Sequence, residues 1–514
     1  MKKWKKVLAF ALAGVMCTGL LSGCGGGNKV SNSATDIEIK IWQAGLGIDW
    51  LDAVIKGFEE KYPEYNVEYT ATADAAAVIA AYGMEDVDTT DLYFCLQSSF
   101  PEYNEPLMDV LDSKADGESK TIREKFDPAY LALETNADGN IYSLTWGGGV
   151  SGILYNTELF KKAGISELPR TTNELAVMCD TLYRKGITPW GHHKRGGYWP
   201  YMTEVFTMQY DGFDYYMNQF YACVDENGES PSINALKAKD GRYETLKAYE
   251  QIIQPNYVLS GSNSQEHTMM QTQFVKGACA MMVNGSWMAK EMAGEDMKDI
   301  FAVMKTPVLS SLTNKLTTVK KESELSKVVA AVDAVTDGEK TLDDYKNGED
   351  YVVDGLKVSA ADWDIVYAAR NTIAANYSGH GAYIPKYSTA KEGAKEFLKY
   401  LYSDEGYAIY TDTVHIALPL TMDNGEMDTS AWTNFEKGQL ALLQTAAQFA
   451  SADNASRHKI FVDGGAANLF ADQDYIQYFC TQNAGDRLNA DEVWEKHMAH
   501  IDSNYEINWL ANIK

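Results

Sequence analysis

Apolar and polar residues alternate along Ile37-Glu38-Ile39-Lys40-Ile41-Trp42, the period-two signature of a half-buried strand. From Asp49 to Tyr62 the period changes. Trp50, Val54, Phe58 and Tyr62 recur every four residues, one face of an amphipathic helix that Pro63 ends. Val67-Glu68-Tyr69-Thr70 reads as a second strand, and strand, helix and strand so close together predict a βαβ unit and a parallel sheet. Asp91 to Leu96 reads as a further short buried strand, followed by the polar turn Gln97-Ser98-Ser99. Thr171-Thr172-Asn173-Glu174 fits a capping box, with Leu175, Met178, Cys179 and Leu182 on one face of the helix it starts and Gly186 at its end. A second box, Thr389 to Glu392, leads into Ala394, Phe397, Leu398 and Leu401. Residues 312–362 are rich in Lys, Glu, Asp, Thr and Val, with no aromatic before Tyr345. They read as a polar, partly helical surface insertion in the second half. From Gly438 onward the chain reads as mainly helical, with Leu440, Leu442, Leu443, Ala447 and Phe449 as packing residues.

The start of the chain is patterned differently. Lys2, Lys3, Lys5 and Lys6 precede a nearly uninterrupted apolar run from Val7 to Leu21, which ends Leu21-Ser22-Gly23-Cys24. The run is shorter than the ~20 residues of a membrane span, so it reads as a secretory signal over residues 1–23. Its ending resembles a bacterial lipobox, in which Cys24 becomes the lipidated first residue of the mature chain. The Gly-rich, polar stretch to Thr35 reads as a flexible tether.

Composition narrows the classes. Apolar residues make up 45% and aromatics 12% of 514 residues, enough for a real core and for two or three domains. The net charge of −27 argues against a nucleic-acid binder and against a polybasic membrane-surface protein. Beyond Cys24, the cysteines of the mature body (95, 179, 223, 279 and 480) are scattered and form no Cys-x-x-Cys pair, so neither a disulfide framework nor a zinc ribbon is indicated.

Three stretches carry a resemblance. The first runs through Tyr142-Ser143-Leu144-Thr145-Trp146, Gly152 to Ile165 and Pro169 to Leu175. The second is Phe274 to Met282 with Asn284-Gly285-Ser286-Trp287, and the third is Ala394 to Gly406. Together with the opening strand and helix they resemble carbohydrate-type extracellular solute-binding lipoproteins, the maltose-binding-like capture components of ABC importers. The resemblance covers most of residues 24–420. It implies an α/β, two-lobed periplasmic-binding-protein-like fold of type II, with the ligand cleft between the lobes. Carried onto this chain, the family's crossings fall near Gly147, Pro307 and Tyr410. One lobe would then hold 36–146 and 308–409, with 312–375 partly insertion, and the other 147–307 and 410–514. It further implies a carbohydrate ligand, ABC permease subunits as partners, a monomer held outside the cytoplasm by lipid on Cys24, and no cofactor.

A pyranose has an apolar C–H face and a polar rim, which flat rings and amide or carboxylate groups complement. The resemblance places Trp287, Tyr198 and Trp199 in the cleft. Gln43, Gln97 and Ser98 follow strands at their C-terminal ends, where open α/β sheets bind ligands. Trp146 lies near a proposed crossing, and Tyr383 sits just before Pro385 in a glycine-containing loop. Tyr155 is expected to pack in the core.

Catalytic patterns are weak. There is no phosphate-binding loop, and Gly149-Val150-Ser151-Gly152 lacks the spacing of a nucleophile elbow. His497 and His500 share a helix face without an evident third ligand, adjacent His192 and His193 read as loop residues, and Asp86, Asp88 and Asp91 lack the glycine and distant glutamate of a calcium loop. No metal site is expected. A secreted glycoside hydrolase with aromatic subsites remains the alternative, although no local motif names its carboxylate pair. So does the same scaffold used for a non-sugar polar solute.

Overall fold

The computed structural model describes residues 35–43, 45–96, 101–136, 138–194, 197–228, 230–292, 299–451 and 475–504. In chain order its strands are β1 (Asp36–Trp42), β2 (Asn66–Thr72), β3 (Leu92–Cys95), β4 (Leu144–Thr145), β5 (Val150–Asn156), β6 (Trp190–Gly191) and β7 (Met281–Gly285). They continue with β8 (Phe301–Met304), β9 (Lys346–Asn347), β10 (Asp350–Val353), β11 (Leu356–Val358), β12 (Thr372–Ala375), β13 (Gly381–Tyr383) and β14 (Gln448–Ala450).

β1 buries Ile37, Ile39 and Ile41, and the helix Asp49–Lys61 buries Trp50, Leu51, Val54, Ile55 and Phe58. β2 and β3 pair with β1 in parallel on its two edges, and β13 joins β3 to β4 in antiparallel pairing. The first sheet is therefore ordered β2-β1-β3-β13-β4. The second sheet runs β14-β12-β5-β7-β6. β5 is its centre: Ser151 lies opposite both Ala374 and Gly285, and β8 takes over the β12 edge from Ile153 onward. Each sheet anchors one lobe.

The allocation of 308–409 to the first lobe does not hold. Residues 308–370 form a body with its own core: Leu312, Leu325, Val328, Val332, Trp363 and Val366 lie between two helices and the antiparallel meander β9–β10–β11. The stretch is therefore more than a polar surface insertion. This body sits on the second lobe. Thr172 donates its N–H to Val308 O at 2.9 Å, Leu309 N–H reaches Gln209 Oε1 at 3.1 Å, and Arg370 spans Asp333 (2.8 Å) and Thr306 O (3.1 Å). β12 then joins the second sheet, so the chain recrosses after Ala375 and not near Pro307. The crossing expected near Tyr410 also falls later. Pro419 O and Lys125 O still hold first-lobe bonds to Asp127 N–H (2.9 Å) and Thr421 N–H (2.8 Å). The next helix, Asn434–Gln444, is seated on the second lobe, with Gln439 Nε2 donating to Val150 O at 3.1 Å. Chain pairing across hundreds of residues decides these boundaries, and local pattern does not carry it.

The capping box at Thr171 forms half as expected. Its hydroxyl accepts from Glu174 N–H at 3.3 Å, but Glu174 returns to the N–H of Arg170 at 2.7 Å. The box at Thr389 does not form. There the helix Lys391–Leu401 begins on Asp91, whose carboxylate accepts from Ser388 Oγ (2.6 Å) and from the N–H groups of Thr389 (3.2 Å) and Ala390 (3.1 Å).

Candidate functional site

The second lobe supplies an aromatic wall. The loop after β6 enters the helix Trp199–Asp211 at Tyr198, and Pro200 in the first turn fixes the entry. Tyr198 stays half-buried, and Tyr201, three residues on, lies on the same face. β7 ends in Asn284 and Gly285, and Trp287 follows two residues later. Its ring meets Tyr198 at 5.2 Å and 67° and Tyr201 at 5.9 Å. His193 stands edge-on to Tyr198 at 4.9 Å, with His267 6.1 Å from it.

The first lobe faces this wall at the C-terminal end of β1. Trp42 stacks on His380 (5.4 Å, 23°) and donates its indole N–H to Ala73 O at 3.2 Å. The following loop approaches the second lobe so closely that a side chain at Gly45 would begin 3.0 Å from Trp287 Cβ and 3.8 Å from Glu291 Oε1. Lys290 of the second lobe also reaches Thr413 O at 3.0 Å. The floor is made by two crossings. Gly149 N–H donates to Asn376 Oδ1 at 2.8 Å, and Trp146 N–H to His380 O at 3.0 Å. A Cβ at Gly149 would fall 1.7 Å from Ser286 Oγ, so only glycine passes there.

Charge in the site is restrained by burial. Burial pushes the Tyr198 hydroxyl up to about 12, assisted by the carboxylate of Glu291. Burial pulls His380 down to about 4, so it is neutral, with Nδ1 3.0 Å from Asn376 O. His193 is also shifted down, by burial first and by His267 second. Gln271 donates to Glu291 Oε2 at 2.7 Å. Among the described residues, Gln271 Oε1 and His193 Nε2 are buried without a hydrogen-bond partner, and the Trp287 indole N–H lies beside the Tyr198 hydroxyl without a well-formed bond to it.

The expected site residues divide. Tyr198 and Trp287 meet, and Gln43 lies half-buried in the facing loop, its N–H bonded to Thr72 O at 2.9 Å. Trp199, Trp146 and Tyr383 are core residues instead, at 1%, 0% and 1% exposure. Trp199 turns inward at the helix start against Trp190 (4.9 Å) and Tyr249 (5.3 Å). Trp146 stacks on Trp50 at 5.7 Å and bonds Cys95 O at 3.2 Å. Tyr383 is in β13, stacked on Tyr93 at 5.3 Å and 11°. Gln97, Ser98 and Cys24 lie outside the described residues. The structure also brings Trp42, His380, Tyr201, Gln271 and Glu291 to this junction, none of them expected there. Trp42 alone carried a sequence signal, since it ends β1 where such sheets present ligand-facing residues.

His497 is buried beside Trp494, at a ring distance of 5.9 Å. No cluster of three His, Cys, Asp or Glu suited to a metal occurs among the described residues. Asp88 serves the structure, accepting from Tyr93 (2.6 Å), Thr90 (2.7 Å) and Lys40 (3.0 Å). Cys95, Cys179, Cys223, Cys279 and Cys480 are buried and unbridged, and no described helix is long and apolar enough to cross a membrane.

Two sheet-bearing lobes joined by crossings, with side chains from both meeting over the junction, define a two-lobed binding protein. The chain belongs to the bacterial extracellular solute-binding proteins, whose family model it matches over residues 44–408. That family is one of receptors. The chain is 27% identical over 198 residues to the multiple sugar-binding protein of Streptococcus mutans, covering 37% of this chain and 44% of that one. It is 25% identical over 238 residues to an uncharacterised ABC transporter extracellular-binding protein of Pyrococcus horikoshii, covering 41% and 51%. The matches thus span about half the length of these curated relatives. In fold it is similar to the bacterial solute receptor AcbH (TM-score 0.61, 13% identity, 92% of this chain and 99% of that one). It is likewise similar to a chitin oligosaccharide binding protein (TM-score 0.57, 17% identity, 91% and 98%). These likenesses establish the type II two-lobed fold.

Proposed function

We propose that this protein captures a carbohydrate, an oligosaccharide by preference, and delivers it unchanged to the permease of an ABC importer. The observation that carries the reading is the Tyr198–Tyr201–Trp287 cluster facing the Trp42–Gly45 edge of the other lobe, with unpaired polar atoms around it. Rings suit the C–H face of a pyranose. Gln271 Oε1 and His193 Nε2, which cost free energy while unpaired, suit its hydroxyl rim. The sugar-binding relative in Streptococcus mutans favours the same ligand class. Open and closed forms interconvert, and a solute touching both walls shifts the population to the closed one. Cys24 carries the lipid that holds the protein at the outer face of the membrane, residues 24–35 act as its tether, and the protein works as a monomer.

A thermal-shift screen of the mature chain against mono- and oligosaccharides, amino acids and peptides tests the ligand class. A solute at a hundred times its Kd adds about 2.7 kcal/mol to folding stability. A carbohydrate should raise the unfolding temperature. Stabilisation by an amino acid or peptide, with every carbohydrate silent, overturns the reading.

A further inference from the structure

Gly285 is the last residue of β7, and Trp287 lies two residues on, in the turn that enters the next helix. The indole folds back along the strand. Its six-membered ring lies where a side chain at position 285 would stand: a Cβ there would come 2.2 Å from Cζ3, 2.3 Å from Cη2 and 2.7 Å from Cε3. The backbone does not demand the glycine, because Gly285 is not among the residues with positive φ. It keeps its place in the sheet opposite Ser151, and its N–H bonds Asn284 Oδ1 at 2.8 Å. Glycine weakens a strand, and one found there commonly marks a close approach. Here the approaching group is a ring from the same chain.

We infer that Gly285 is the positioning residue of the Trp287 platform: its missing side chain is the seat in which the indole lies. Tyr198 and Tyr201 brace the seated ring, at 5.2 and 5.9 Å, and a Cβ added at Gly45 of the other lobe would come 3.0 Å from Trp287 Cβ. A methyl at position 285 lifts the ring off the strand into the space the lobes close over. The consequence for solute binding rests on the proposed function, but the seat does not, and its test uses no ligand.

Three variants of the mature chain suffice: Gly285→Ala, Trp287→Ala and the two combined. Gly285→Ala should lower the unfolding temperature by several degrees in the otherwise native chain. In the Trp287→Ala background it should cost about one degree or less, because the methyl then enters space the ring has left. Hydroxyl-radical footprinting read by mass spectrometry should show Trp287 oxidised several-fold faster in Gly285→Ala, with buried Trp146 and Trp190 unchanged. If the single variant fails to fold and the double variant folds, the inference stands. An equal cost in both backgrounds, a double variant that also fails to fold, or unaltered oxidation of Trp287 in a folded Gly285→Ala overturns it.

Discussion

Trp287→Ala removes the ring at the centre of the proposed platform. In the unliganded protein the indole pairs with Tyr198 and Tyr201, and such aromatic pairs contribute about 0.5–1.5 kcal/mol each. The variant should lose about 1–3 kcal/mol of stability, a shift of a few degrees in a chain of this size. The larger signal is in binding. Loss of a stacking ring at the centre of an interface costs on the order of 1–3 kcal/mol, which weakens Kd roughly ten- to a hundred-fold. Titration calorimetry with the best carbohydrate from the thermal screen measures it. Trp199→Phe is the control, because Trp199 directly follows Tyr198, which meets Trp287, but packs into the core against Trp190 and Tyr249. It should lower the unfolding temperature and leave Kd within twofold. A Trp287→Ala protein with native affinity, or a Trp199→Phe protein with greatly weakened affinity, would refute the assignment of the platform.

Gly45→Val places a branched side chain 3.0 Å from Trp287 Cβ across the junction, and overpacking of about 1–3 kcal/mol should weaken binding tenfold or more; native affinity would contradict a closure that brings these residues together. Stability should rise with pH from about 4 to 6.5. His192 and His380, held near about 4, and His497, near about 3, stay neutral when folded, while the unfolded chain takes up protons there. Above that range stability should fall. Burial and the neighbouring Asp240 charge hold Asp211 well above the ordinary carboxylate range, so the folded protein keeps a proton that the unfolded chain has released; Asp211→Asn should flatten this decline, and an unaltered decline in thermal unfolding would contradict it. Cys24→Ala should release the protein from the membrane fraction, and a lipid-free Cys24 in the native chain would show the anchor reading wrong.

Local patterns were legible where local chemistry decides. The alternation of Ile37, Ile39 and Ile41 and the four-residue recurrence of Trp50, Val54 and Phe58 appear as β1 and the helix beside it, because both bury one face against their nearest neighbours. The Thr389 box failed because a carboxylate 298 residues away, Asp91, reaches the same N–H groups first. Tyr198 and Trp199 are adjacent residues of the same chemical class, and only the direction of the helix entering behind them decides which meets Trp287 and which turns into the core. Trp146 and Tyr383 were drawn inward by partners, Trp50 and Tyr93, that sequence spacing does not reveal. His380 carried no signal, because its position arises from two crossings lying side by side.

The most direct measurement is small-angle X-ray scattering of the mature chain with and without the stabilising oligosaccharide, followed by chromatography of the recovered sugar. The expected result is a smaller radius of gyration in the saturated protein and a sugar recovered intact. An unchanged radius at saturation, or release of new reducing ends at enzymatic rates, would contradict capture by lobe closure.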